Sequence, residues 1–565
     1  MKPRICLIAL ITVTIVGIAG FRFGEDPQFI KELRSRLEKY NIAMPSEKVY
    51  LQLDKPFYKP GETIWFNAFA LSGTTHTPMG SSDVLYVNLI DPKGNVAMTR
   101  ELLIRGGTAH GEFTLPESNP GGIYEIKAYT RWMQNFGDSS VFAKKIQVQK
   151  VITPRLLFKL DFERKAYGPA DSVAATLQIR DLKDEPVAHA EARIVVSLAG
   201  KRFQTRESIS DTNGNLTIGF TLPDSLNSSD GLLQVQVTHR GVNESISRSI
   251  PIVLNKIDMT FYPEGGHAIA GTKGKIAFKA VNEFGKGADV EGVIVDESNS
   301  EVGSFKSFHM GMGAFSFTPQ SGKQYFAIIT SPRGNNNRYV LPNPLPSGFS
   351  MNLNDHSDQS VSWNIYSSQK SSAYLVAHSH GIPQYSATLN LSKGNNTIAV
   401  PIKDFPSGIS VFTLFDDHGL EQCERLVYIQ SKHQLNISLS TAKKQYHPGE
   451  KVELTIRTTD GNGKPIPAKL SLAVADEQLI SFADDRQDNL LSYMYLSSEV
   501  RGKIEEPSFY FNAKEPKASV ALDYLLMTQG WRRFTWSEVR KEQHSVVTMP
   551  EKIRTIYGKL TDKNG

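Results

Sequence analysis

The sequence is poor in cysteine. Its 565 residues hold two, Cys6 and Cys423. Cys6 lies at the head of an N-terminal apolar run, so one thiol is left beyond that run and no internal disulfide can form. Stability must come from packed cores. Charge of one sign is scarce as well. With 63 basic and 58 acidic residues the net charge is +5, which supplies no basic stripe for a nucleic acid. Motifs for chemistry are also missing. There is no His-Glu-x-x-His and no cysteine pair for zinc, and Gly106-Gly107 and Gly265-Gly266 lack the lysine and helix of a phosphate loop. Acidic residues are scattered, so none is paired for acid–base work. No catalytic, cofactor-binding or metal-ligating residue is nominated. The chain is expected to be non-enzymatic, with no cofactor and no small-molecule substrate.

The nearest thing to a catalytic signal is Leu375-Val376-Ala377-His378-Ser379-His380-Gly381, which imitates the nucleophile elbow of serine hydrolases. An elbow needs a helix directly after the serine. Here Ile382 to Leu389 reads as turn and strand, so a hydrolase centred on Ser379 is only a remote alternative. His378 and His380 are two apart, which puts both on one face of a strand, where they could capture a metal weakly, but such isolated pairs usually sit on a solvated face.

The N-terminus carries its own signal. Lys2 and Arg4 precede an apolar stretch of about 16 residues, short for a membrane span, and Gly17-Ile18-Ala19 offers small residues for cleavage. Residues 1–20 read as an export signal, the alternative being an uncleaved anchor. An exported chain of this size without disulfides points to the periplasm or outer-membrane-associated envelope of a Gram-negative bacterium.

Glycine, proline and aromatics are plentiful: 43 Gly, 29 Pro and 10% aromatic residues fit many short strands separated by turns. After a helical stretch with Phe29, Ile30, Leu33 and Leu37 apolar, the periodicity falls to two at Val49. A Tyr followed by Pro and then Gly or an acidic residue opens successive alternating strands. It occurs as Tyr58-Lys59-Pro60-Gly61-Glu62, Tyr167-Gly168-Pro169-Ala170-Asp171 and Tyr446-His447-Pro448-Gly449-Glu450, with a looser copy at Tyr262-Pro263-Glu264-Gly265-Gly266. The tyrosines stand 109, 95 and 184 residues apart, a period near that of an immunoglobulin-like sandwich with one signature lost. Asp91-Pro92-Lys93-Gly94-Asn95, Asp211 to Asn215 and Asp460 to Pro465 read as hairpin turns; each lacks the twelfth-position acid of a calcium loop.

The expected fold is mainly β, with tandem immunoglobulin-like antiparallel sandwiches and a small helical insertion near the C-terminus. A helical linker at 21–45 leads into sandwiches at 46–150, 151–255, 256–345, 346–432 and 433–550. The last carries the insertion, with helical spacing at Ser492 to Gly502 and Ala521 to Val539. Residues 551–565 enter a strand that has no returning partner, as expected of a truncated further domain.

The segment Val49-Tyr50-Leu51-Gln52-Leu53-Asp54-Lys55-Pro56-Phe57-Tyr58-Lys59-Pro60-Gly61-Glu62-Thr63 closely resembles the second macroglobulin domain of the alpha-2-macroglobulin family. Gly122 to Met133, Tyr262 to Gly266, Cys423 to Val427 and Thr528 to Phe534 resemble a bacterial envelope branch of it. That likeness implies macroglobulin-type sandwiches, here followed by a carboxypeptidase-regulatory-like domain that Ile556 to Gly565 would open, and then a plug domain of TonB-dependent receptors. The family traps proteases through an internal thioester built in a Gly-Cys-Gly-Glu-Gln setting. Glu421-Gln422-Cys423-Glu424 has similar letters in another order, so Cys423 is expected to be a buried apolar residue and the thioester domain to be absent. The implied role is a multidomain cell-envelope binding or scaffold protein, with a link to a TonB-dependent transport apparatus. Its partner would be a protein of the periplasm or outer membrane, with protease inhibition without a thioester as the alternative.

Overall fold

The computed structural model describes residues 27–148, 156–254, 256–431, 435–475, 487–500, 502–530, 535–541, 544 and 546–553. The expected leader at 1–20, the cluster Trp531 to Phe534 and the strand Ile556 to Gly565 lie outside them.

The fold is mainly β. Antiparallel strands recur in one topology, four times among the described residues. In each repeat the first, second and fifth strands form one sheet, and the fourth, third, sixth and seventh form the other. In the second repeat, Leu156–Phe162, Ser172–Asp181 and Asn215–Thr221 face Lys201–Ile209, Glu191–Leu198, Gly231–His239 and Val242–Ser249. Alternation dictates the packing. Val173, Ala175, Leu177 and Ile179 from one sheet and Leu233, Val235 and Val237 from the other all enter one core. The first repeat adds a short strand, Phe57–Tyr58, parallel to Phe142–Val148. Its core is built on Tyr50, Tyr58, Phe113, Tyr124 and Phe142. The third centres on Phe278 and the fourth on Trp363 and Phe412.

The repeated tyrosine turn has a common geometry. Glu62 accepts the N–H of Lys59 at 2.8 Å, Asp171 that of Gly168 at 2.9 Å and Glu450 that of His447 at 3.0 Å. A cation three residues before the tyrosine closes each turn. Lys55, Arg164 and Lys443 pair with those same acids and lie over the tyrosine rings at 5.2, 4.9 and 5.7 Å. The residue before the acid is left-handed in all three, at φ 86° for Gly61, 59° for Ala170 and 80° for Gly449. Glycine adopts this conformation freely and alanine does not. The looser copy lacks both charged partners, with Gly266 in the place of the acid and Met259 in that of the cation, and its Glu264 is committed elsewhere.

Hairpin turns repeat as well. Asp91, Asp211 and Asp460 each accept backbone N–H bonds from the residues two and four ahead, at 2.7 to 2.9 Å. Their carboxylates serve as turn acceptors.

Two expectations are revised. The helix Gln28–Ala43 is no linker. Ile30, Leu33, Leu37 and Tyr40 pack with Val376 and Phe415 of the fourth repeat and with Trp536, and Asn41 donates to the Gly381 carbonyl at 2.8 Å. The expected sandwich at 433–550 is present, among the described residues, as one ladder of Asn436–Thr441 with Leu454–Thr459. Its apolar side chains are exposed, Ile437 at 53% and Leu439 at 61%. The helical residues that follow pack instead on the first, third and fourth repeats, because those sheets present the apolar surface that these helices can bury.

Candidate functional site

The strand Gly408–Asp416 is buried from Gly408 to Phe415 on both faces, which its nearly unbroken apolar run anticipates. One face meets its own sandwich. On the other, Ile409 and Val411 are covered by the segment formed of 487–500 and 502–530, which joins three sandwiches, while Thr413 and Phe415 meet Trp536 and Phe29. Asn489 starts this segment, its side chain accepting from Ser492 N and its own N–H donating to the Ser492 hydroxyl. One α-helical turn, Leu490–Ser492, runs into a π turn, Tyr493–Ser497. There Tyr493 and Met494 enter the core of the first sandwich, the Tyr493 ring lying 5.3 Å from Phe142 and 5.6 Å from Tyr50. The helix Ala518–Thr528 lays Ala521, Leu522, Leu525 and Leu526 against Met310, Met312, Ile409, Val411 and Leu426. Asp488 accepts from the Ser492 and Ser497 hydroxyls, both at 2.8 Å. Burial pushes its carboxyl above the usual range, against the pull of those two bonds.

Two buried ionic nodes tie the junction. In the first, Arg425 donates to Glu264 of the third repeat at 3.0 Å and to Asp523 of the helix at 2.5 Å. Glu264 also accepts the N–H of Leu353 in the fourth repeat, at 3.2 Å. Burial opposes the guanidinium charge, but Asp523 and Glu264 outweigh it and hold the group charged. In the second node Lys48 donates to Glu499, to His76 Nε2 at 3.0 Å and to the Met494 carbonyl at 3.0 Å. His380 Nε2 lies 3.9 Å from Glu499, and the two imidazole rings are 4.7 Å apart. The His380 ring fills the space that Gly408, at φ 124°, leaves by having no Cβ. Burial first, then Lys48 and His380, pushes His76 down to about 3. Burial raises the Glu499 carboxyl, but Lys48 and His380 reverse that and hold it low.

Beside the junction, a crevice of ≈ 680 Å³ opens between the second and third repeats and the segment 487–530. Its walls mix Lys165 and Lys517 with Glu163 and Asp289, and the His309 ring stacks on Phe509 at 3.9 Å.

Ser379 is buried at the end of the strand Ser371–Ser379 and shares a hydrogen bond with Ser410 Oγ at 2.7 Å. The strand Ile382–Leu391 follows it, where an elbow would require a helix. His378 and His380 do not share a solvated face: both are buried. His378 packs 5.6 Å from Trp536, whereas His380 stands in the turn at φ 52° and faces His76. The turn breaks the alternation that would have aligned them. Cys423 is buried opposite Leu414, and burial pushes its thiol up to about 12. Lys48, Glu499, Arg425, Glu264 and Asp523 were not nominated from sequence. The only local hint is a charged residue inside an apolar alternating strand, as Arg425 stands between Cys423 and Val427.

The family model for the MG2 domain matches residues 48–148. Over 473 residues the chain is 20% identical to alpha-2-macroglobulin of Thermotoga maritima, covering 80% of this chain and 29% of that protein. Over 167 residues it is 24% identical to alpha-2-macroglobulin of Ralstonia nicotianae, covering 29% of this chain and 10% of that one. The chain thus spans less than a third of either relative. Among solved structures, trypsin-activated alpha-2-macroglobulin of Escherichia coli aligns with 74% of this chain and 33% of its own, at 13% identity and a TM-score of 0.40. Salmonella alpha-2-macroglobulin reacted with methylamine aligns over 74% and 32%, at 13% identity and a TM-score of 0.30. The first sandwich matches the MG2 domain, and 80% of the chain is similar to a protein named alpha-2-macroglobulin.

Proposed function

We propose that this chain is a non-enzymatic framework of the cell envelope, exported to the periplasm or outer membrane of a Gram-negative bacterium, where it holds a protein partner. The Arg425 node carries this reading. It ties the third and fourth sandwiches to one helix in a buried contact, which favours a fixed relative placement of the units over a loose string. A fixed array can present loops and sheet edges at set distances to an extended partner segment. A link to a TonB-dependent transport apparatus fits the envelope branch that the sequence resembles.

Protease inhibition is the second reading, favoured by similarity to proteins named alpha-2-macroglobulin. Incubation with a broad-specificity endopeptidase separates the two. The framework leaves hydrolysis of a protein substrate and of a short chromogenic peptide unchanged. Inhibition by capture would slow the protein substrate and spare the peptide, and that result would overturn the framework reading. Fractionation of cells expressing the tagged chain tests the compartment: recovery in the cytosol contradicts export.

A further inference from the structure

We propose that His76, His380 and Glu499 form a binding site for a divalent transition-metal ion of the zinc class, in competition with the ammonium of Lys48. The three ligand atoms lie within 4.8 Å of one another. In a tetrahedral site with metal bonds near 2.1 Å, neighbouring ligands stand about 3.4 Å apart. Binding therefore draws the three side chains together by up to about 1.4 Å. Two imidazoles and one carboxylate form a donor set that zinc and its neighbours accept, with a fourth position left for water.

The surroundings already select for positive charge. The Glu499 carboxylate, His76 Nε2 and the Met494 carbonyl converge on Lys48 Nζ, so three acceptors meet one cation away from bulk water. A second feature gives the ammonium somewhere to go. A cavity of ≈ 50 Å³ borders Lys48 and Glu499, though neither histidine, and is lined by the serines at 46, 139, 140, 497 and 498. A cavity needs roughly 10–15 Å³ to hold one water. This one has room for the displaced ammonium, which its hydroxyls can solvate.

The donors come from three parts of the fold: His76 from a turn of the first sandwich, His380 from a turn of the fourth, and Glu499 from the segment after the π turn. A bound ion would therefore cross-link the first sandwich and the segment that Lys48 now joins, and add the fourth sandwich through His380; the strength of binding is set by how easily Lys48 leaves.

The test uses the full chain without a polyhistidine tag, titrated with Zn²⁺ by calorimetry and with Co²⁺ by visible absorption. One equivalent of Zn²⁺ is expected, with Co²⁺ giving the visible bands of a four-coordinate ion. Lys48→Met should bind about tenfold more tightly or better, since its side chain keeps the volume but brings no competing charge. His380→Asn and Glu499→Gln should lose the bands while keeping the wild-type circular dichroism. If a variant loses its fold, wild type and Lys48→Met decide alone. Two outcomes overturn the proposal: Lys48→Met binding no tighter than wild type, or bands that persist in a folded His380→Asn.

Discussion

The first and last copies of the tyrosine turn differ in surroundings and agree in shape. Tyr58 and Tyr446 each receive a hydrogen bond from the N–H of the lysine three residues back, at 3.4 and 3.1 Å, and each lysine pairs with the turn's acid. Yet Tyr58 is 1% exposed in a two-sheet core, whereas Tyr446 is partly open beside what is, among the described residues, a two-stranded ladder. The turn is therefore written locally, in seven or eight residues. Burial is conferred by strands far away in sequence.

That contrast can be broken or sharpened by substitution. The largest effect is expected at the copy that gave up its turn acid. Arg425→Ala strands Glu264 without its main partner and should cost about 3–5 kcal/mol, read from the urea midpoint of the third and fourth units by hydrogen exchange. A cost below about 1 kcal/mol would show that the node is solvated. Next, Tyr58→Ala should destabilise the first sandwich by about 3 kcal/mol, while Tyr446→Ala stays within about 0.5 kcal/mol; equal effects would erase the distinction drawn above.

Acid should separate the copies too. Burial raises the Glu62 carboxyl, but Lys55 and the Lys59 N–H bring it below its ordinary 4.5. A depressed folded value stabilises above the unfolded pKa and is lost as pH falls through the folded one. The first sandwich should therefore weaken on acidification below pH 4.5, and Glu62→Gln should flatten that limb in thermal melts. Glu450, held low first by Lys443, should give no such limb in the global melt. A smaller gain is expected from Ala170→Gly, about 0.5–1 kcal/mol of added stability, since only this copy places a Cβ at the left-handed position. Smallest of all, Leu439→Ser on the open ladder should change the melting temperature of the chain by less than the error of the scan.

Much of the fold could be read in advance because its signals are short-range. Tyr58 to Glu62 and Asp91 to Asn95 announce their turns, and Ile64, Phe66, Ala68 and Ala70 announce the inward face of their strand. The cation at Lys55, Arg164 and Lys443 was equally legible, since it precedes each tyrosine by three, yet charge before a turn looks like ordinary solvated surface. The junction was not legible. Glu264 meets Arg425 across 161 residues and Lys48 meets Glu499 across 451, and no periodicity reports a pairing at that range. His378 and His380 misled for a related reason: the left-handed turn at His380 sends its ring away from the strand face that spacing alone assigned.

The π turn has a consequence for how the protein is made. Lys48, in the opening strand of the first sandwich, binds a carbonyl 446 residues later, and Tyr493 fills a slot beside Tyr50 in the same core. A ribosome that has finished the first sandwich has not yet supplied the residues that complete its interior. Closing so long a loop is slow, and the unfilled slot is sticky meanwhile. A fragment ending before Asp488 should thus aggregate during refolding and be rescued by a peptide spanning 488–500 supplied in trans.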